Sequence, residues 1–211
     1  MRALQTDNKG QAFWMEREAK AMSDQQVYRE LVQNGFEAGA GEIILDGWTE
    51  PESGRLLARV SDSGSGMTHR QLVEHLSVIH NIGKGPHNYG VGARIAALPK
   101  NPAGVTFASR TKSQEGLVKL VKRGGIFGIE EWEVDVDGYE QLVEVVEADQ
   151  DELERVKKTG TAVILHGSGR GDTWNASASY SGWRSNLPTR PNSQPRSSTP
   201  MGRASTAPGK S

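Results

Sequence analysis

From Ser168 onward the chain stops carrying the residues that build a core. Residues 168–211 hold ten Ser and five of the nine Pro, and no Ile, Val or Phe. Six of these 44 residues are basic and one is acidic. A segment so poor in branched apolar side chains cannot offset its ordering entropy by burial. The sequence therefore predicts a folded domain ending near residue 167 and a disordered basic tail over 168–211, with Trp174, Tyr180 and Trp183 available to dock its beginning. A solvated terminus is the ordinary meaning of that composition. Scattered Arg among Ser and Pro also suits contact with nucleic acid or another anionic partner.

What remains is enough for one domain. The whole chain has 211 residues, 35% of them apolar, and 25 Gly, with a net charge of −1. That average hides +5 in the tail against −6 in residues 1–167. There is no Cys, which excludes disulfides and thiolate metal sites. No apolar run is long enough to span a membrane, and residues 1–11 have no apolar signal core. A cytoplasmic protein with no membrane contact is the expectation.

Periodicity divides the domain into helices and strands mixed without strict alternation. Residues 1–22 form an N-terminal extension containing a short helix over 13–22. Ser23-x-x-Gln26 is a capping-box pattern that starts a helix stopping at Gly39, with Val27, Leu31 and Ala38 on one face. Strands are expected over 42–45, 56–60, 105–109, 116–121, 131–136 and 161–165. Helices are expected over 68–76, 91–98 (ended by Pro99) and 151–157, and a long loop over 77–89. This order predicts an α/β fold: a two-layer sandwich with helices on one face of an open, mixed sheet.

Four short segments carry polar residues of the kinds that chemistry uses. In ELVQNGFEAGA, Glu30 and Asn34 stack on one helical face and Glu37 continues the stripe. A carboxylate there can polarise a water, and an amide oxygen can ligate a hard cation such as Mg²⁺. In VSDSGSGMT, a strand ends in Asp62 followed by Gly64, Gly66 and Met67. Asp62 can accept a hydrogen bond from an exocyclic amine. In NYGVGARIAAL, Gly90, Val91 and Gly92 open a helix whose amides suit phosphate oxygens. No strand precedes them, which argues against a dinucleotide fingerprint. In TGTAVILHG, Gly160 and Thr161 enter an apolar strand. Alone, each segment has a plain meaning: a solvated helix face, a turn, or a strand entry.

Together, in this order, the four segments over 23–167 resemble the Bergerat-fold (GHKL) ATPases. That superfamily includes DNA gyrase B subunits, heat-shock chaperone ATPases, sensor histidine kinases and mismatch-repair MutL proteins. ELVQNGFEAGAGEI is most similar to the MutL and chaperone branch. The resemblance implies an ATP-binding domain with Mg²⁺-dependent, slow hydrolysis. It implies Glu30 as the general base for the attacking water and Asn34 as the Mg²⁺ ligand. Asp62 would bind the adenine amino group, with Gly64, Gly66 and Met67 forming the base pocket. Residues 77–89 would be a lid, with Gly90, Val91 and Gly92 at the phosphates and Thr161 on the adenine side, reached through water. Lys84 in the lid would pair with a phosphate or stay solvated. Glu37 and Ser63 stand where the family often has Asp and Asn. Those branches follow this domain with a second one that supplies a cation to the γ-phosphate. The alternatives are a non-catalytic, nucleotide-gated interaction module, the ATP-binding part of a histidine kinase, or a piece of a longer ATPase. ATP or ADP is the expected ligand, with a protein partner or a dimer beside it. The five histidines are poorly spaced for a metal, and Asp135-x-Asp137-Gly138 reads as a turn.

Overall fold

The computed structural model describes residues 1–3, 16–17, 20–21, 23–77, 97–171 and 173. Strands β1 (Arg2–Ala3), β2 (Ile43–Thr49), β3 (Leu56–Asp62), β4 (Val105–Arg110), β5 (Glu115–Arg123), β6 (Ile126–Ile129) and β9 (Gly160–Leu165) form one sheet in the order β1-β6-β5-β4-β9-β3-β2. Strands β7 (Trp132–Val136) and β8 (Tyr139–Val143) form a separate hairpin, closed by a tight turn at Asp137 and Gly138. Helices α1 (Asp24–Glu37) and α2 (His69–Ser77) lie over one face of the large sheet, α1 against β3 and α2 against β5 and β6.

Every pairing among the described strands is antiparallel, which corrects the expected mixed sheet. The reason lies in β9. β3 and β4 run parallel to each other, joined through the α2 region, but β9 inserts between them antiparallel to both.

The capping box forms as predicted. The Ser23 hydroxyl accepts from the Gln26 amide at 3.3 Å, and the Gln26 side chain accepts from the Ser23 amide at 2.5 Å. The buried face of α1 is Val27, Leu31, Val32 and Gly35; Ala38 sits at the C-cap and is exposed, correcting its expected place on that face. A Cβ on Gly35 would lie 2.9 Å from Ile43 Cδ1 and 3.0 Å from Asp62 Cβ. A bare backbone at that point lets α1 close onto the end of β3.

The expected helix over 151–157 is a run of turns instead. Leu153 and Val156 are spaced like helix residues, but both bury into the sheet face opposite the helices. Arg59 Nη1 donates to the Asp151 carbonyl at 2.9 Å and Arg110 Nη1 donates to that of Val156. Tertiary donors thus take carbonyls that a helix would use for itself. The helix expected to end at Pro99 continues through residue 100, and the Asn101 side chain closes it on the Ala97 carbonyl at 2.7 Å. Most of the helix expected over 13–22 lies outside the described residues, as do residues 91–96, Trp174, Tyr180 and Trp183.

Contacts with the sheet extend beyond 23–167 at both ends. β1 pairs with β6. At the other end the Thr173 hydroxyl donates to the Leu165 carbonyl (2.7 Å) and accepts from the Ala58 amide (2.8 Å), and the Thr173 amide donates to the Leu56 carbonyl (3.0 Å). No described helix is long and apolar enough to cross a membrane.

Candidate functional site

Three central strands set the site, because their register aligns residues far apart in sequence. On the helix-covered face, Ala58, Leu165 and Val105 form one row across β3, β9 and β4. Val60, Val163 and Phe107 form the next. The row after that changes character: Thr161 pairs with Ser109, and Asp62 follows one residue after the Ser61–Ala162 pair. Two apolar rows therefore end in a polar one, Asp62–Thr161–Ser109.

Over this boundary lies a cavity of about 320 Å³, at the small end of the ~300–1,000 Å³ common for ligand sites. Leu31, Leu76, Met67, Phe107 and Val163 give it apolar walls, while Asp62 and Thr161 place polar atoms on its floor. Asn34 and Glu37 of α1 and Gln71 and His75 of α2 stand around it.

Asp62 is held in place by the turn that follows it. Its Oδ1 accepts from the Gly64 amide at 2.8 Å. Burial pushes the Asp62 carboxyl above its ordinary range, and the amides of Gly64 and Thr161 hold it partly back. Gly160 has φ +145°, and a Cβ there would fall 1.9 Å from the Asp62 carbonyl oxygen. Only glycine lets β9 begin so close to the end of β3. The Thr159 hydroxyl donates to the Gly64 carbonyl at 2.7 Å, tying the two turns together.

Of the residues singled out in the sequence, Asn34, Asp62, Gly66, Met67 and Thr161 meet at this cavity. Gly64 is buried behind it. Glu30 is one turn before Asn34, half-buried, and outside the cavity lining. Lys84, Gly90, Val91 and Gly92 lie outside the described residues, as does all but Ser77 of the segment expected to be a lid. Among the described residues no group of three or more His, Asp or Glu is placed to hold a metal ion.

Sequence reasoning missed Ser109. It is fully buried, its hydroxyl accepts from the Met67 amide (2.8 Å) and donates to the Gly160 carbonyl (3.0 Å), and it meets Thr161 Oγ1 at 3.0 Å. Its signal was a Ser on the same side of a strand as Val105 and Phe107, a core position under period-2 alternation.

The opposite sheet face carries a second cavity, of about 570 Å³. There His166 Nδ1 meets Glu50 Oε1 at 3.1 Å, and Nε2 meets Thr106 Oγ1 at 2.9 Å. A carboxylate only accepts, so Nδ1 carries the ring proton and Nε2 accepts from Thr106. Burial pulls the His166 imidazole down to about 4, the Lys119 charge adding to this. Burial pushes the Glu152 carboxyl up to about 7. Nearby, Arg59 is 1% exposed and pairs bidentately with Asp46, Nε–Oδ1 at 2.9 Å and Nη2–Oδ2 at 2.7 Å, with Glu154 at 3.2 Å.

No protein-family model matches this chain, and no curated protein matches it either.

Proposed function

We propose that the helix-side cavity binds the base of an adenine nucleotide, ATP with Mg²⁺ or ADP, in a domain of the Bergerat (GHKL) type. The observation that carries the reading is the polar row at the end of two apolar rows. Apolar walls suit an aromatic ring. The floor offers hydrogen-bond acceptors, Asp62 and Thr161, and so favours a ring edge bearing an amino group. Turns at Gly64 and Gly160 fix these groups before any ligand arrives.

Asn34, on the lip of the cavity, is the candidate Mg²⁺ ligand through its side-chain oxygen. One neutral oxygen suits a cation that keeps several waters and takes its remaining oxygens from phosphates. When bound, Mg²⁺ neutralises charge on those phosphates. Glu30, on the same helix face, is the candidate base that orients a water and holds its proton. No Lys or Arg among the described residues lines the cavity. A cation for the γ-phosphate would then come from outside the described residues or from a partner. In this reading binding comes ahead of turnover, with hydrolysis slow.

The position of Glu30 outside the cavity lining favours a second reading: a nucleotide-gated interaction module that binds without turning over. Calorimetric titration with ATP and ADP, with and without Mg²⁺, tests the first claim, and a phosphate-release assay on the wild type and Glu30→Ala separates the two readings. Heat of binding for neither nucleotide would sink both. Binding with turnover that disappears in Glu30→Ala selects the ATPase.

A further inference from the structure

The reading of the cavity as a base pocket leaves open what makes its floor selective. Ser109 does not line the cavity, yet it touches three parts of its frame: the Met67 amide after the Gly66 turn, the Gly160 carbonyl, and the Thr161 hydroxyl. A serine hydroxyl has one hydrogen and two lone pairs. The Met67 amide is a donor, so it takes one lone pair. The Gly160 carbonyl can only accept, so it takes the hydrogen. What is left for Thr161 Oγ1 is the second lone pair, and Thr161 must donate to it. The reverse arrangement, with Ser109 donating to Thr161, would set two hydrogen-free oxygens 3.0 Å apart at Gly160 in a fully buried place.

We infer that Ser109 is a positioning residue for base selectivity: it turns the Thr161 hydroxyl proton away from the cavity, so that Thr161 shows the ligand only lone pairs. With the Asp62 carboxylate beside it, the floor then accepts and does not donate. An amino group on the ring edge is matched there, and a carbonyl oxygen at the same place meets lone pairs from both residues. This rests on the base-pocket reading and adds to it the residue that fixes the direction of one proton.

The test compares ATP with inosine triphosphate, which replaces the 6-amino group by a carbonyl, by calorimetric titration of the full chain. The wild type should bind ATP more tightly by about a hundredfold, for two mismatched polar contacts. In Ser109→Ala the Thr161 hydroxyl is free to rotate and donate. The ATP to inosine triphosphate affinity ratio should fall by about tenfold, whatever happens to either affinity alone. In a Thr161→Val background the same Ser109→Ala change should leave the ratio where it was, because Ser109 acts through Thr161. Ser109→Cys, of similar shape with a weakly bonding thiol, takes the place of Ser109→Ala if that chain does not fold. A purely structural role for Ser109 weakens both nucleotides alike and leaves the ratio intact; that result overturns the inference while leaving the base pocket standing. A fall in ratio that persists with Thr161→Val overturns it too. A wild type that binds neither nucleotide removes the base pocket itself, and the inference with it.

Discussion

Under α1 and α2, the sheet buries apolar side chains and leaves a cavity where they give way to Asp62 and Thr161. On the other face the same three strands bury charge. Arg59, on β3 between Ala58 and Val60, points away from the helices into a cage of Asp46, Glu154 and the Asp151 carbonyl. Within β3, Arg59 thus faces an ion-pair network while its neighbours Ala58 and Val60 face the oily core. The difference separates roles. Polar groups on the helix side have lone pairs left over, and leftover valence is what a ligand can use. The main charged groups on the far side are satisfied internally: burial and the opposing hydrogen bonds from Arg59 and Arg155 leave the Asp46 carboxyl below its ordinary range. Far-side substitutions should therefore be read in stability, and near-side ones in binding.

The largest effect should come from breaking the far-side cage. Arg59→Met leaves Asp46 without its bidentate partner in a half-buried place, and unfolding free energy should drop by about 3–5 kcal/mol. Denaturant unfolding measures it. Nucleotide affinity, titrated below the new midpoint, should hold; a parallel loss of affinity would show that the two faces are coupled.

Asp62→Asn should invert that pattern. The amide keeps an oxygen for the Gly64 N–H but turns a donor toward the cavity, so ATP affinity should fall by about 1–3 kcal/mol. Because burial raises the Asp62 pKa, neutralising the side chain should not lower stability. Unchanged affinity would remove Asp62 from the site.

The far-side cavity holds two titrations of opposite sign. His166 is depressed to about 4 in the folded state against 6.5 unfolded, so the unfolded chain binds the extra proton between these values. Stability from this group is full above pH 6.5 and is lost as pH falls toward 4, by up to about 3 kcal/mol. Glu152 is raised to about 7 against 4.5, so the folded chain binds the extra proton there, and its contribution is lost as pH rises from 4.5 through 7. The two slopes oppose each other between about pH 4.5 and 6.5. Glu152→Gln should unmask the His166 slope, with the thermal midpoint rising steadily over that range. A profile as flat as the wild type's would remove His166 as a buried neutral base.

The smallest change concerns Ser61, buried on the far side with no hydrogen-bond partner among the described residues. Ser61→Ala should stabilise by about 1 kcal/mol, a gain readable as a shift in denaturant midpoint. Destabilisation would mean that the hydroxyl has a partner.

Much of the near side was legible because its signals are local. The capping box, Asp62 followed by Gly64 and Gly66, and the Gly160–Thr161 entry each occupy a few consecutive residues whose backbone needs are readable one at a time. The row that joins them was not, since it depends on β9 lying between β3 and β4, a register that no local pattern encodes. Ser109 was missed for that reason. The far side misled where spacing by three imitated a helix at Leu153 and Val156. Arg59 carries no local signal of its own, because its cage is built from β2 and the turns at 151–154, far away in sequence. Strands β1, β6 and β8 went unread: β1 has two residues, β6 has four with a Gly inside, and four of the five residues of β8 are exposed.

The place of β9 also sets the order in which this domain can be completed. Ala58 pairs with Leu165, and Val105 with the same Leu165, so the last described strand of the sheet in sequence is a middle strand in space. A chain emerging from the ribosome holds β2–β3 and β4–β5–β6 as two separate pieces, each with an unpaired strand edge and an apolar flank, until Gly160–Leu165 arrives. Pairings over so long a separation are slow to form. Nascent chains stalled before residue 160 should therefore be the species that draws chaperones and proteases, with two sticky half-sheets awaiting one six-residue strand.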